Sequence, residues 1–415
     1  MQPESLFRLA LTSPDPDAPF VGWPLKRVCD EVEEWVPGVV FLCDNNFGGI
    51  GNVRNFILTC VRYAIEAGAT GLVMPAIRKR RDDDIRVILD HSDFRPFSYL
   101  FDEDNFRQAM GESCPQITLY DDWTRVPRIQ YLDNEPEVQE IDPRQMGRIE
   151  GAARDAILLS LITRRILPGP DFESLSMIPR TGTPFATEYT SLPRDRLARC
   201  VVGVACLTRR ARNGQYIRRT VQVQQTIMQL GKKVLANMQT FARAQNTQPR
   251  GSSSGFFGVH LQSEADAEPF WPSYEEQEVS YLRKAEESQL TVGYLASGNL
   301  TEARRLVEAA KKQNGMTLRL KDDLLEGDDL GKLHSLSWDQ RGLVDYIVLA
   351  DAEYFAGNSR SSFSISICQK RHLKAEGLYS RPYKVRENGY GRSFVVGPME
   401  DYYEHWLFIW DAMWP

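Results

Sequence analysis

The chain has 415 residues, enough for two domains or one two-lobed α/β unit. Its 42% hydrophobic, 26% charged and 10% aromatic residues exclude a disordered or fibrous chain and leave ample material for large cores. A formal net charge of −6 announces no polyanion partner at the level of the whole molecule.

The N-terminus, MQPESLFRLALTSPDPDAPF, has neither a basic opening nor a long apolar core, so no signal peptide is expected. No run reaches the roughly 18 apolar residues that span a bilayer. A cytoplasmic protein without a membrane partner is therefore expected. Seven cysteines, at 29, 43, 60, 114, 200, 206 and 368, are scattered and form no C-x-x-C pair. That argues for reduced thiols, not a disulfide framework or a zinc site, and no metal is expected. Cys43 and Cys60 read as core fillers.

Residues 38–44 (GVVFLCD) read as a buried strand, 45–51 as a Gly/Asn turn, 52–68 as a helix and 69–75 (ATGLVMP) as a second buried strand. This alternation is a βαβ unit and predicts a parallel sheet. The run 78–84 (RKRRDDD) reads as a solvated loop, and 151–167 as a helix closed by Pro168-Gly-Pro170. A helix over 218–244 carries the apolar stripe Ile227, Leu230, Val234, Met238 and Phe241. From 251 the pattern restarts. Strands are predicted at 256–261, 290–296, 316–321 and 353–357, and helices at 274–288, 301–313 (with Thr301 as N-cap), 338–349 and 361–371. The fold class is thus α/β with two Rossmann-type lobes and a cleft between them. The lobes are placed at 1–195 and 251–415, with a connecting segment at 196–250.

That connecting region is basic. No Asp or Glu occurs in the 68 positions from 196 to 263, whereas eleven Lys or Arg do. On the helix, Arg218, Lys232 and Arg243 fall opposite the apolar stripe. The stretch is either a solvated face or a basic stripe for phosphate backbones.

Three motifs lie at strand ends. FGGIGN (47–52) joins a strand to a helix start, where glycines admit a ligand to the backbone or simply make a tight turn. GVHLQSEADA (258–267) carries His260, Gln262, Glu264 and Asp266 on alternate positions, with no cation among them. YFAGNSRSSFS (354–364) places Ser361, Ser362 and Ser364 in the first turn of a helix, to cap it or to bind an anion.

Together, G-G-x-G-N, G-V-H-L-x-x-E-A-D and E-Y-F-A-G-N-S-x-S-S-F-S resemble the O-fucosyltransferase-like glycosyltransferases, in particular their fungal branch, over most of 38–395. The resemblance implies a GT-B fold, with Asn52 facing the acceptor side. It also implies that Ser361, Ser362 and Phe363 hold the donor diphosphate and nucleoside, with His260 beside a donor phosphate. The family pattern at the middle motif is H-x-R. Gln262 stands where that arginine would support the sugar diphosphate, and one charged hydrogen bond is worth on the order of 1.5–3 kcal/mol.

The missing arginine, the acid-free segment and the lack of a secretory signal favour a repurposed transferase. In that reading the chain is similar to the fungal arginine-containing cyclodipeptide synthases, which join aminoacyl groups from charged tRNAs. The partner would be aminoacyl-tRNA, including arginyl-tRNA, lying on Arg209, Arg210, Arg212, Arg218, Arg219, Lys232, Lys233 and Arg243. Glu264, Asp266 or Asp44 would read the guanidinium, and His260 or one of these acids would be the base. Gly49, Gln262, Asn358, Ser361, Ser362, Phe363 and Ser364 complete the substrate site, Asn52 completes the catalytic set, and no cofactor is expected. The alternatives are a glycosyltransferase binding a nucleotide sugar and an acceptor, or a non-catalytic binding protein on the same fold.

Overall fold

A computed structural model of the chain describes residues 22–43, 46, 48–82, 84–85, 93–127, 177–178, 221–245, 255–264, 267, 271–376 and 392–397. The first lobe contains α1 (Gly22–Asp30), β1 (Val36–Leu42), α2 (Ile50–Glu66), β2 (Ala69–Val73), β3 (Ile77–Arg78), β4 (Phe94–Arg95), α3 (Glu103–Ser113), β5 (Thr118–Tyr120) and β6 (Met177–Ile178). Its main sheet runs β5-β2-β1-β6, all parallel. The short pair β3 and β4 is antiparallel.

Helix α4 (Gln225–Gln245) precedes the second lobe. There follow β7 (Phe257–His260), α5 (Tyr274–Ser288), β8 (Val292–Ala296), α6 (Leu300–Asn314), β9 (Thr317–Arg319), α7 (Gly327–Ser335), α8 (Trp338–Ala350), β10 (Tyr354–Asn358), α9 (Ser362–Glu376) and β11 (Ser393–Val396). The sheet order is β11-β10-β7-β8-β9, again all parallel. This is the two-lobed α/β arrangement expected from the sequence. The residues of β8 are all buried, as are Val39, Val40 and Phe41 of β1. Such unbroken apolar runs suit parallel strands covered on both faces.

Local signals set several boundaries. Helix α5 starts at a capping box in which Ser273 and Glu276 bond each other's backbone N–H groups. Helix α8 has the same device with Ser337 and Gln340. Helix α6 is capped by Asn299, not by Thr301, because the Asn299 side chain accepts the Glu302 N–H. The predicted strand at 316–321 is shorter, since Lys321–Leu324 turns into a 3-10 helix. Helices α1, α3 and α7 were not anticipated. The helix expected at 151–167 lies outside the described residues.

Two expectations are corrected. Cys29 on α1 pairs with Cys114, the C-cap of α3, with a Cα–Cα distance of 5.5 Å. Cys43, just beyond β1, pairs with Cys60 on α2, with a Cα–Cα distance of 5.9 Å. Both spans suit disulfides, so these four are not isolated thiols. Their sequence separations, 85 and 17 residues, carry no spacing signature. Buried Cys368 is free.

The second correction concerns RKRRDDD. It is not simply a solvated loop, because Arg80 is only 6% exposed and the segment bolts the lobes together. The Arg80 N–H donates to Asp339 Oδ2 at 3.1 Å, and Asp82 Oδ1 accepts the Trp338 N–H at 2.8 Å. Tyr99 Oη meets Ser337 Oγ at 2.5 Å, and Gln340 Nε2 donates to the Tyr99 carbonyl at 2.9 Å. All four contacts fall at the start of α8, whose positive end favours the Asp82 carboxylate. Apolar packing continues across the same seam. Ile50, Val53 and Ile57 of α2 share one buried core with Leu343, Tyr346, Ile365 and Ile367. Among the described residues, no helix is long and apolar enough to cross a membrane.

Candidate active site

The aligned ends of β7, β8 and β10 form one rim of the seam between the lobes. Strand β7 ends in His260, which is 8% exposed. Its Nδ1 lies 2.7 Å from Ser364 Oγ, and that hydroxyl also accepts the Asn358 N–H at 3.1 Å. One serine thus ties the end of β7 to the end of β10 and the first turn of α9. Burial pushes the His260 pKa down to about 3. At neutral pH its imidazole is uncharged and can orient a ligand without holding a charge of its own.

The strand end is supported from α5. Gln277, fully buried, accepts the Gln262 N–H at 3.0 Å and donates to the Gln262 carbonyl at 2.8 Å. One turn later, Tyr281 donates its hydroxyl to the His260 carbonyl at 3.0 Å. These i, i+4 neighbours clamp the backbone of the motif. The Gln262 side chain remains half-buried at the seam.

Glu264 does something different from its expected role. Its carboxylate accepts the Gly298 N–H at 2.5 Å and the Ser263 N–H at 3.0 Å, with Ser297 Oγ at 3.4 Å. It joins the loops after β7 and β8, so those acceptor sites serve the fold. Asp266 and Asp44 lie outside the described residues.

At the α9 end, Ser361 caps the helix, with its hydroxyl 3.5 Å from the Ser364 N–H. The Phe363 ring packs at 4.6 Å from the His260 ring and edge-on to Tyr346 at 5.7 Å. Asn358 is fully buried, and its Oδ1 accepts the Arg360 N–H at 2.9 Å. The Asn358 Nδ2 is buried and makes no hydrogen bond.

FGGIGN faces this constellation from the first lobe. Gly48 has φ +91°, which a side chain would strain. A Cβ on Gly51 would sit 2.7 Å from the Ser362 carbonyl oxygen and 3.1 Å from the Phe363 nitrogen. The first turns of α2 and α9 therefore touch through Gly51, and half-buried Asn52 and Ser362 flank the contact. A Cβ on Gly49 would meet only Arg80 Nη2, at 4.0 Å. Two helix N-termini and one guanidinium converge here, a setting that favours an anion.

The sequence reading passed over Arg80, Trp338, Asp339, Gln277 and Tyr281. Arg80 lies over the Trp338 ring with its Cζ 5.2 Å from the centroid. Burial raises the Asp339 carboxyl to about 6. A separate hollow of about 600 Å³, lined by Trp271, Pro272, Val279, Val396 and Gly397 among others, opens beside edge strand β11. Among the described residues, no group of three or more His, Cys, Asp or Glu side chains is placed to hold a metal ion.

Of the eight basic residues of the tRNA reading, Lys232, Lys233 and Arg243 are among the described residues. Lys233 is paired with Asp329 of α7, while Arg243 is exposed in the last turn of α4. Arg209, Arg210, Arg212, Arg218 and Arg219 lie outside the described residues. Lys232 is half-buried on α4, whose apolar face packs on α8 of the second lobe.

Comparison with known proteins decides between the readings. Residues 40–374 match the model of the GDP-fucose protein O-fucosyltransferase family. No curated protein sequence matches the chain. Among solved structures, POFUT1 in complex with GDP is similar at 14% identity, over 83% of this chain and 97% of that one, with a TM-score of 0.44. An Arabidopsis thaliana FUT1 variant in complex with GDP is similar at 14% identity over 85% and 72%, with a TM-score of 0.40. The NodZ alpha-1,6-fucosyltransferase soaked with GDP-fucose is similar at 13% identity over 80% and 91%, also with a TM-score of 0.40. The family match overturns the cyclodipeptide synthase reading, and aminoacyl-tRNA falls with it as the expected partner. The acid-free segment that suggested it includes a helix packed into the second lobe, and no such relation emerges from any comparison. The chain belongs to the GDP-fucose protein O-fucosyltransferase family.

Proposed function

We propose that this protein transfers a fucosyl group from GDP-fucose to a hydroxyl acceptor. The observation that carries the reading is the junction of His260, Ser364 and the first turn of α9, facing the Gly48–Gly51 turn across the seam. In the step itself, the bond from fucose C1 to the β-phosphate oxygen breaks and GDP leaves with the electron pair. The acceptor oxygen bonds to C1, and its proton passes to the departing diphosphate or to water. Negative charge grows on the departing diphosphate, where the first-turn N–H groups of Ser362 and Phe363 and the Ser361 and Ser362 hydroxyls stabilise it. Neutral His260 orients a phosphate oxygen by hydrogen bonding. Asn52, in the first turn of α2, faces the acceptor side.

The test is incubation of the purified full chain with GDP-fucose and Ser/Thr-bearing protein acceptors, followed by mass spectrometry of the acceptors and assay of released GDP. Fucosylated acceptor with matching GDP supports the reading. Turnover of another nucleotide sugar in preference to GDP-fucose would move the donor assignment.

A further inference from the structure

A diphosphate needs positive charge close by; on the second-lobe rim the end of β7 supplies none, and Arg360, between β10 and α9, is the arginine there. His260 is neutral, Gln262 is uncharged and the Glu264 carboxyl group is engaged with its own loops. The first lobe does bring a cation to the seam. Arg80 is 6% exposed, and its guanidinium is held between Gly49 and the Trp338 ring. Trp338 in turn reaches the second-lobe rim. Its Nε1 lies 2.8 Å from where a Gly298 Cβ would be, beside Glu264 Oε1 at 3.0 Å from the same point. A guanidinium stacked on an indole keeps its planar N–H fork in a fixed direction. Gly49 is the turn's open position: only the guanidinium itself borders the space where its side chain would be.

We propose that Arg80 supplies, from the first lobe, a cationic contact to the pyrophosphate of the nucleotide sugar, in place of an arginine at position 262. The proposal rests on the GDP-sugar reading above. It makes closure of the seam part of donor recognition, because the cation and the α9 N-terminus belong to different lobes.

Calorimetry with GDP and with guanosine tests it on the full chain. Arg80→Met keeps the stem against Trp338 and removes the charge. GDP affinity should fall by roughly 10- to 100-fold, with guanosine affinity unchanged. Arg80→Lys should fall between, since a point charge cannot make the forked contact. Arg80→Met with a native melting curve and wild-type GDP affinity overturns the proposal and leaves the fucosyl-transfer reading standing. Should Arg80→Met not fold, Arg80→Lys is read the same way: the ratio of GDP to guanosine affinity drops by roughly threefold or more, and an unchanged ratio overturns the proposal. Failure of the unmodified chain to bind GDP at all would overturn both.

Discussion

Gly51→Ala probes the contact on which the site depends. The added methyl would lie 2.7 Å from the Ser362 carbonyl oxygen, 2.9 Å from its carbon and 3.1 Å from the Phe363 nitrogen. All three are backbone atoms, so no side chain can swing aside. Restoring ordinary contact requires α2 and α9 to part by roughly 0.5–1 Å, and overpacking of this kind costs about 1–3 kcal/mol. Alanine returns up to about 1 kcal/mol of helix propensity, and with full return the net loss is about 0–2 kcal/mol. The effect on chemistry should be larger, because a displacement near 1 Å between reacting groups can cost about 100-fold in rate. Gly111→Ala is the control. That glycine lies within α3 with nothing within 4 Å of an added Cβ, and its substitution should be neutral or mildly stabilising. The assay is thermal melting together with fucosyl transfer. Gly51→Ala behaving like Gly111→Ala in both would refute the close approach of the two helix ends.

Three further outcomes are expected. Gln262→Arg adds a guanidinium at the strand end and should raise GDP affinity by about 10-fold; a site built to read a cation would lose function instead, and calorimetry separates the two. The lowered pKa of buried His260 means that the unfolded chain binds more protons between pH 6.5 and about 3. The stability it contributes is therefore full above pH 6.5 and is lost as pH falls through that window. The loss is bounded by about 4–5 kcal/mol; denaturant titrations across pH should show it in the wild type and a shallower dependence in His260→Gln. Peptide mapping without reductant should recover Cys29 linked to Cys114 and Cys43 linked to Cys60, and recovery of these four as free thiols would contradict the pairing.

What the sequence revealed and what it hid divide along local and long-range causes. The span of α5 was legible at both ends, because alternating charged and apolar positions coincide with a Ser/Glu cap. Strand β8 was legible as a short apolar run. Helix α3 was not, since only Phe106, Ala109, Met110 and Ser113 are buried in an otherwise polar stretch. The family motifs marked strand ends that the fold brings together across the seam, and the departure at Gln262 was visible in them. The meaning of Glu264 was not, because its partners Ser297 and Gly298 come from the next strand's loop. Arg80 was hidden for the same reason: a run of seven charged residues looks solvated, and Trp338 and Asp339, which bury it, lie more than 250 positions away. The acid-free segment misled because charge counted along a chain says nothing of pairing, as Lys233 with Asp329 illustrates.

The central claim is that the seam between the lobes binds and opens GDP-fucose. Its most direct test is titration of the purified chain with GDP-fucose, following heat of binding and then GDP release with time. Saturable binding followed by GDP release, weakened by Ser364→Ala, is the predicted result. Absence of binding to GDP-fucose and to GDP by the folded chain would contradict it.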